Sequence, residues 1–351
     1  MSAPRYAYDD LLGFVTALGR AVGLAEDRAD THARVLLEAD LMGHTTHGLA
    51  LLGGYLSSLE AGHYAATGEP SVITDTGAAM VWDGNLLPGT WLTTHAIETA
   101  ASRLSDHPVV TVCIKRSAHI CCLASYLRPA TERGHVVIIM NSDPSARTVA
   151  AFGGIEPVLT PNPMAFGIPT QGDPILIDIS TSTTANGWVR RHQAEGTKLP
   201  GRWLLDNEGS PTDEPAALFT DPPGTVLPLG GTEVGYKGFG LSLLVEALTA
   251  AMTGLGRADA PKGQGSPVFI QLIDPGAFGG RAAFTRETSW LADAARGSKT
   301  RPGDPAVRLP GQRGLELRRR QLADGVALHG SIMPALEPWA EKLAVALPRA
   351  L

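Results

Sequence analysis

Cysteine is scarce in this 351-residue chain, which holds only Cys113, Cys121 and Cys122. An odd count with two neighbours adjacent speaks against a disulfide framework, and no C-x-x-C pair is present for zinc. A reduced, cytoplasmic setting is therefore expected. Long apolar runs are missing too: none reaches the roughly 18 residues that span a bilayer. The opening MSAPRYAYDD lacks the basic-then-apolar build of a secretory signal, so no membrane partner is expected. Cations are outnumbered, with 29 Lys and Arg against 35 Asp and Glu, and a net charge of −6 argues against nucleic-acid binding. What is present is the balance of an ordinary globular protein, 44% hydrophobic and 18% charged. The length suits one large domain or two to three intertwined ones. Forty glycines and 26 prolines predict many turns.

Apolar spacing predicts helices over 8–21 and 24–41, and a third over 47–61 that ends at Gly62. Residues 71–84 read as strand–turn–strand, 94–107 as a helix, and PVVTVCIK (108–115) as a buried strand. CCLASYLRPATERG (121–134) reads as a helix running into the strand VVIIMN (136–141). Further strands are expected over 163–170, 174–180 and 266–274, a helix over 236–254, and a helical tail from about 314. Segments 255–265 and 297–306 are loop candidates. The reading is α/β: a mixed α/β region over 71–313, and a helical domain from 1–70 with 314–351 packed beside it.

Familiar chemical signatures are also absent. No G-x-G-x-x-G stands between a strand and a helix, and no H-E-x-x-H exists; His44 and His47 are three residues apart with no glutamate between, so no metal site is expected. In GHTTHGLA (43–50) a neutral histidine near a helix start suits proton transfer, since its ordinary pKa near 6.5 serves both directions. A locally hydrogen-bonded pair is the plainer alternative. GYKGFG (235–240) opens a helix, where backbone N–H groups and Lys237 could hold an anion, or where glycines simply make a turn. DISTSTTANG (178–187) ends an apolar strand in hydroxyls, suited either to a ligand or to capping. RRHQAEG (190–196) adds positive charge, or a solvated helix face.

In order, several stretches resemble the malate/L-lactate dehydrogenase family of NAD(P)-dependent oxidoreductases, which also includes ureidoglycolate dehydrogenase, diketogulonate reductase and piperideine/pyrroline-2-carboxylate reductase. They are ADLMGHTTHG (39–48), SAH (117–119), NSDPS (141–145), FGGIEPVLTPNPMAF (152–166), DISTS (178–182), DNEGSPT (206–212), LPLGG followed by GYKGFGL (227–241), FIQLIDPGAFG (269–279) and VRLPGQR (307–313). The resemblance implies a non-Rossmann NAD(P)-binding fold with a mixed sheet, and a homodimer with a shared active site, to which the helical domain supplies dimer contacts. It makes His47 the proton donor or acceptor, with Thr46 in the preceding serine position. A carboxylate partner is expected in Glu195 first and Asp178 second. Cofactor contacts map to His119, Ile120, Cys121, Cys122 and Leu123, to Asp178, Ser180, Thr181 and Ser182, to Lys237, and to Arg308, Gly311 and Arg313. Arg190, Arg191, Arg308 and Arg313 are candidate 2′-phosphate ligands, which favours NADPH over NADH.

The expected substrate pocket, at Leu51, Tyr55, Pro161 and Asn162, departs from the family. Relatives usually carry arginine four residues after the histidine, where a planar fork can grip a carboxylate; here Leu51 stands. Their G-T-N-P turn reads T-P-N-P with Pro161, and their S-N-H-F-G reads S-A-H-I-C (117–121). Three polar-to-apolar changes point to a more apolar substrate, such as a ketone or imine. The alternatives are the usual oxo-acid or cyclic imino-acid reductase with its carboxylate on another cation, and a redox-inactive cofactor-binding relative.

Overall fold

The computed structural model describes residues 4–263 and 265–351. Its centre is a seven-stranded mixed sheet in the order Ser71–Asp75, Ala79–Asp83, Val109–Ser117, Ser266–Ile273, Val136–Asn141, Met164–Ile168 and Ile175–Ile179. Only Ala79–Asp83 and Val109–Ser117 run parallel; every other neighbouring pair is antiparallel. The central strands are β-branched and buried on both faces, as in SPVFIQLI, so they read as continuous apolar runs rather than alternations. A second sheet joins five short strands: Pro211–Thr212, Leu204–Leu205, Thr225–Val226, Val149–Ala150 and Pro157–Leu159.

The helical ends meet beside the large sheet. Helix Tyr8–Ala21 carries Asp9 and Asp10 in its first turn and Arg20 in its last, each matched to the helix dipole, and buries Leu11, Phe14, Val15 and Leu18. Arg5–Tyr6 pairs with Val326–Ala327. From helix Gln312–Asp324, Gln321 Nε2 donates to the carbonyls of Asp40 and Leu41 at 2.9 and 3.0 Å, tying the tail to the end of helix Glu26–Leu41.

Three predicted boundaries move, each for a local reason. The helix expected from 47 starts later, as a short turn at Leu49–Leu51 and then Leu52–Glu60, because the Asp40 carboxylate accepts the Leu49 N–H at 2.7 Å and leaves 44–48 as a turn. Cys121 and Cys122 stay outside a helix because Asp178 accepts the Ala124 N–H (2.8 Å), so helical backbone begins at Leu123 and continues as Leu127–Glu132. The helix expected over 94–107 runs from Gly89 to Ser102, burying Leu92, Ala96, Ile97 and Ala100 on one face. Helix Arg281–Arg296 was not expected; it buries only Ala292 fully, so the core leaves little mark on its sequence.

Candidate active site

The turn after helix Glu26–Leu41 brings His44 and His47 to a trough formed by three adjoining cavities. Gly48 permits the turn, because a Cβ there would collide with the Asp40 carboxylate. The Thr46 hydroxyl lies 2.8 Å from His47 Nδ1. A hydroxyl both donates and accepts, so it holds Nδ1 in either protonation state and leaves Nε2 as the exchanging nitrogen. Burial lowers the His47 pKa to about 4, His119 adds to the depression, and Asp178 pulls the other way.

Across the trough, the His119 ring stacks toward His47 with centroids 6.4 Å apart. The Cys121 N–H points at His119 Nδ1 (3.2 Å), as does the Tyr55 hydroxyl (2.5 Å). Nδ1 is then the accepting nitrogen, and Nε2 carries the proton. Burial lowers the His119 pKa to about 4 as well, so the ring is a neutral donor. Tyr55, expected in the substrate pocket, is instead buried behind His119 and orients it.

Asp178 sits near the end of edge strand Ile175–Ile179. Its Oδ2 accepts from Ala124 N (2.8 Å) and Cys122 Sγ (3.4 Å). It lines a 240 Å³ cavity with His44, His47, His119, Cys121, Cys122, Leu123 and Ser180, and also an 880 Å³ cleft on its other side. The larger cleft is walled by Leu176, Arg308, Gly311, Arg313 and the His44–Thr45 turn. Gly311, at φ +82°, lies so close to the edge strand that a Cβ would come within 2.6 Å of Leu176 Cβ.

The third cavity, 360 Å³, shares His47, His119 and Ser180 with the middle one and adds Leu51, Pro161, Asn162, Asn186, Gly187 and Arg190. Helix Asn186–Glu195 forms one wall. A Cβ at Gly187 would lie 3.7 Å from Thr46 Cβ and 3.9 Å from His47 Cε1, so the first turn of this helix abuts the histidine.

Some expected residues lie elsewhere. Glu195, the first choice as carboxylate partner, is at the far end of that helix, with Oε1 3.7 Å from His329 Nε2, whereas Asp178, the second choice, lines the 240 Å³ cavity with His47. At 1.5 Å per residue, Glu195 is about 12 Å along the axis from Gly187. Ile120 is fully buried in the core. The Thr181 and Ser182 hydroxyls are buried and bonded to the carbonyls of Pro161 and Thr184. The Asn162 amide is satisfied internally: Nδ2 donates to Ser242 Oγ (2.8 Å) and Glu246 (2.9 Å), and Oδ1 accepts from Thr160. Lys237 is exposed, lies over its neighbour Tyr236 and lines none of the three cavities. Arg191 is bound to the hydroxyl and carbonyl of Thr45, both at 2.9 Å. Asn186 and Gly187, the last two residues of DISTSTTANG, line the third cavity although neither was named as a site residue. No group of three His, Cys, Asp or Glu among the described residues is placed to hold a metal.

The family model "Malate/L-lactate dehydrogenase" matches residues 6–337. An L-lactate dehydrogenase of Cupriavidus necator is 29% identical over 331 residues, 92% of this chain and 93% of that one. A Delta(1)-pyrroline-2-carboxylate/Delta(1)-piperideine-2-carboxylate reductase of Pseudomonas syringae pv. tomato is 30% identical over 351 residues, covering 95% and 96%. The crystal structure of malate dehydrogenase from Entamoeba histolytica superposes with a TM-score of 0.93 over 99% of this chain and 100% of that one; at 23% identity this speaks to the fold. The chain belongs to the malate/L-lactate dehydrogenase family and is an NAD(P)-dependent oxidoreductase.

Proposed function

We propose that this enzyme reduces a C=O or C=N carbon of a small substrate, with His47 as the proton donor, or runs the same reaction in reverse. The supporting observation is the cavity in which His47 Nε2, without a hydrogen-bond partner among the described residues, meets the neutral donor His119 beside the apolar wall of Leu51 and Pro161.

The 880 Å³ cleft fits a dinucleotide in size and chemistry. Arg308 and Arg313 form no ion pair among the described residues, and the backbone at Gly311 begins helix Gln312–Asp324, an arrangement suited to phosphate groups. Arg308, Gly311 and Arg313 would hold the phosphates, with NADPH favoured by the two arginines, and Asp178 and Ser180 would face the ring end. When bound, the nicotinamide supplies or takes the hydride.

The chain's own residues handle the proton. Thr46 fixes the ring through Nδ1, and His47 Nε2 protonates the developing oxyanion or amide nitrogen. Asp178 stabilises the imidazolium, while His119 Nε2–H donates a hydrogen bond toward the reacting group. Leu51 offers no charge to a substrate carboxylate, so the substituent on that side is apolar. Piperideine- or pyrroline-2-carboxylate remains the second reading, favoured by the Pseudomonas relative and requiring a cation elsewhere in the pocket. The proposal extends to a homodimer, supported by the exposed apolar residues Tyr236, Leu243, Leu244 and Met252 on one helical run.

The test is His47→Ala. It is expected to bind NADPH normally, followed by protein fluorescence, and to lose about 10²- to 10⁴-fold in turnover. Near-normal turnover would remove His47 from the proton-transfer role.

A further inference from the structure

The substrate cavity loses its customary cation at Leu51, yet its wall still carries one guanidinium. Arg190 lines the 360 Å³ cavity together with His47 and Leu51. It makes no ion pair or side-chain hydrogen bond among the described residues; its only close partner is the Phe219 ring, 5.8 Å away. Arg190 shares a helix face with Asn186, one turn earlier, and Asn186 also lines the cavity and has a buried Oδ1 with no partner. Gly187, between them, is the residue that abuts His47. The first two turns of helix Asn186–Glu195 therefore bring the Arg190 guanidinium and the positive end of the helix to one cavity, while the unpartnered Asn186 Oδ1, an acceptor, is left for a donor on the ligand. The other charge on that wall, Asp143, is committed to the N–H and hydroxyl of Ser145 (3.0 and 2.6 Å).

We propose that Arg190 is the anion anchor of the substrate pocket, so that the substrate is an oxo or imino acid held with its carboxylate toward helix Asn186–Glu195 and its hydrocarbon part against Leu51. This rests on the reading of His47 as proton donor and specifies the substrate of that site. It reverses the orientation that an arginine at position 51 would impose. An acid with an alkyl tail fits it; a dicarboxylate does not, because its second carboxylate would lie on Leu51 and Pro161. Arg190 is distinct in place from Arg308 and Arg313, which line the large cleft beyond Asp178.

The probes are 2-oxohexanoate and its uncharged counterpart 2-hexanone, tested on wild type, Arg190→Gln and Arg190→Lys. Calorimetry on the enzyme–NADP+ complex measures binding, and steady-state rates with NADPH measure turnover. In Arg190→Gln the acid is expected to bind about 10- to 100-fold more weakly, the loss of one charge-assisted pair. KM should rise more than kcat falls, the ketone should be unaffected, and Arg190→Lys should recover part of the loss. Equal losses for acid and ketone, an unchanged acid affinity, or no binding of the acid to wild type would each overturn the assignment. So would a selective loss of NADPH over NADH affinity, which would make Arg190 a cofactor-phosphate ligand. Reduction of the ketone alone overturns the Arg190 assignment and leaves the His47 reading standing. Arg190-dependent binding of the acid without turnover of either probe sustains the anchor and counts against the His47 reading.

Discussion

At residue scale, the site depends on histidines kept neutral by burial. His47 is held near pKa 4, below the usual 6.5, so at pH 7 it is an empty base that must be loaded before it can donate. The sign follows directly. In the reducing direction, kcat/KM should fall about tenfold per pH unit from pH 6 to 8, because the protonated fraction falls at that rate; in the oxidising direction it should stay flat over the same range. A reductive profile flat across this window would mean that the proton comes from elsewhere. Beside this histidine stands a residue whose backbone argues against its identity. Cys121 has φ +67°, a left-handed conformation that costs a Cβ-bearing residue about 1–2 kcal/mol, and it stands where the S-N-H-F-G motif that the stretch resembles has glycine. Its thiol is buried against the carbonyls of Val35 and His47. Cys121→Gly removes the strain along with that packing, so its melting free energy should move by less than about 1 kcal/mol. Cys121→Val puts a β-branched chain at positive φ and should cost more than about 2 kcal/mol. An ordinary buried site ranks these two the other way, so denaturant melts that favour valine would refute the strain.

At the scale of elements, the floor of the substrate cavity is held from behind by one buried carboxylate. Glu246, on helix Tyr236–Glu246, accepts at Oε1 from Ser142 Oγ, Asn162 Nδ2 and the Arg257 guanidinium, all between 2.7 and 2.9 Å. Arg257 in turn donates to the carbonyls of Ala146 and Asp143, fixing the loop after strand Val136–Asn141. Both side chains of the pair are about 15% exposed, so removing one partner strands a charge. Arg257→Met should destabilise by about 3–5 kcal/mol, while Glu246→Gln, which keeps an acceptor and removes the charge, should cost less. The surviving Arg257→Met enzyme should show a raised KM, since the loop it held lines the cavity; an unchanged KM would detach the network from the site. None of this was legible beforehand. Asn162 was assigned to substrate from its motif, yet its amide is consumed by Ser242 and Glu246, some 80 residues away in sequence. Periodicity gave helices 8–21 and 24–41 because each packs one apolar stripe into the core, and strand 108–115 because both its faces are buried. It missed helix Arg281–Arg296, which has almost no buried stripe to read. Ordered motifs named His47, His119, Asp178, Gly311 and Leu51, which the fold brings to the walls of adjoining cavities; direction along helix Asn186–Glu195, which separates Arg190 from Glu195, exists only in three dimensions.

For the whole molecule, the run from Tyr236 to Met252 poses the largest question, because it is apolar on two sides. Gly238, Ser242, Val245 and Thr249 are buried against the chain's own core. On the opposite stripe, Tyr236 is 54% exposed, Leu243 49%, Leu244 44% and Met252 54%. A helix that is hydrophobic all round belongs in an interior, and contiguous apolar surface on a monomer marks a contact face. Burying such side chains yields about 25 cal/mol per Å² of apolar area, enough for a few leucines to decide association. Lys237 lies beside this stripe, so a second copy seated there would cover an exposed cofactor candidate that lies outside the three cavities. Sedimentation equilibrium is expected to give twice the chain mass for wild type and a single chain mass for Leu243→Glu/Leu244→Glu. The variant should keep a native circular dichroism spectrum, since both positions are solvent-facing within one chain. If it also loses NADPH affinity, the partner completes the cofactor site; if affinity persists in the monomer, each chain holds its own. A wild-type monomer at micromolar concentration would refute the homodimer and leave the exposed stripe to another partner.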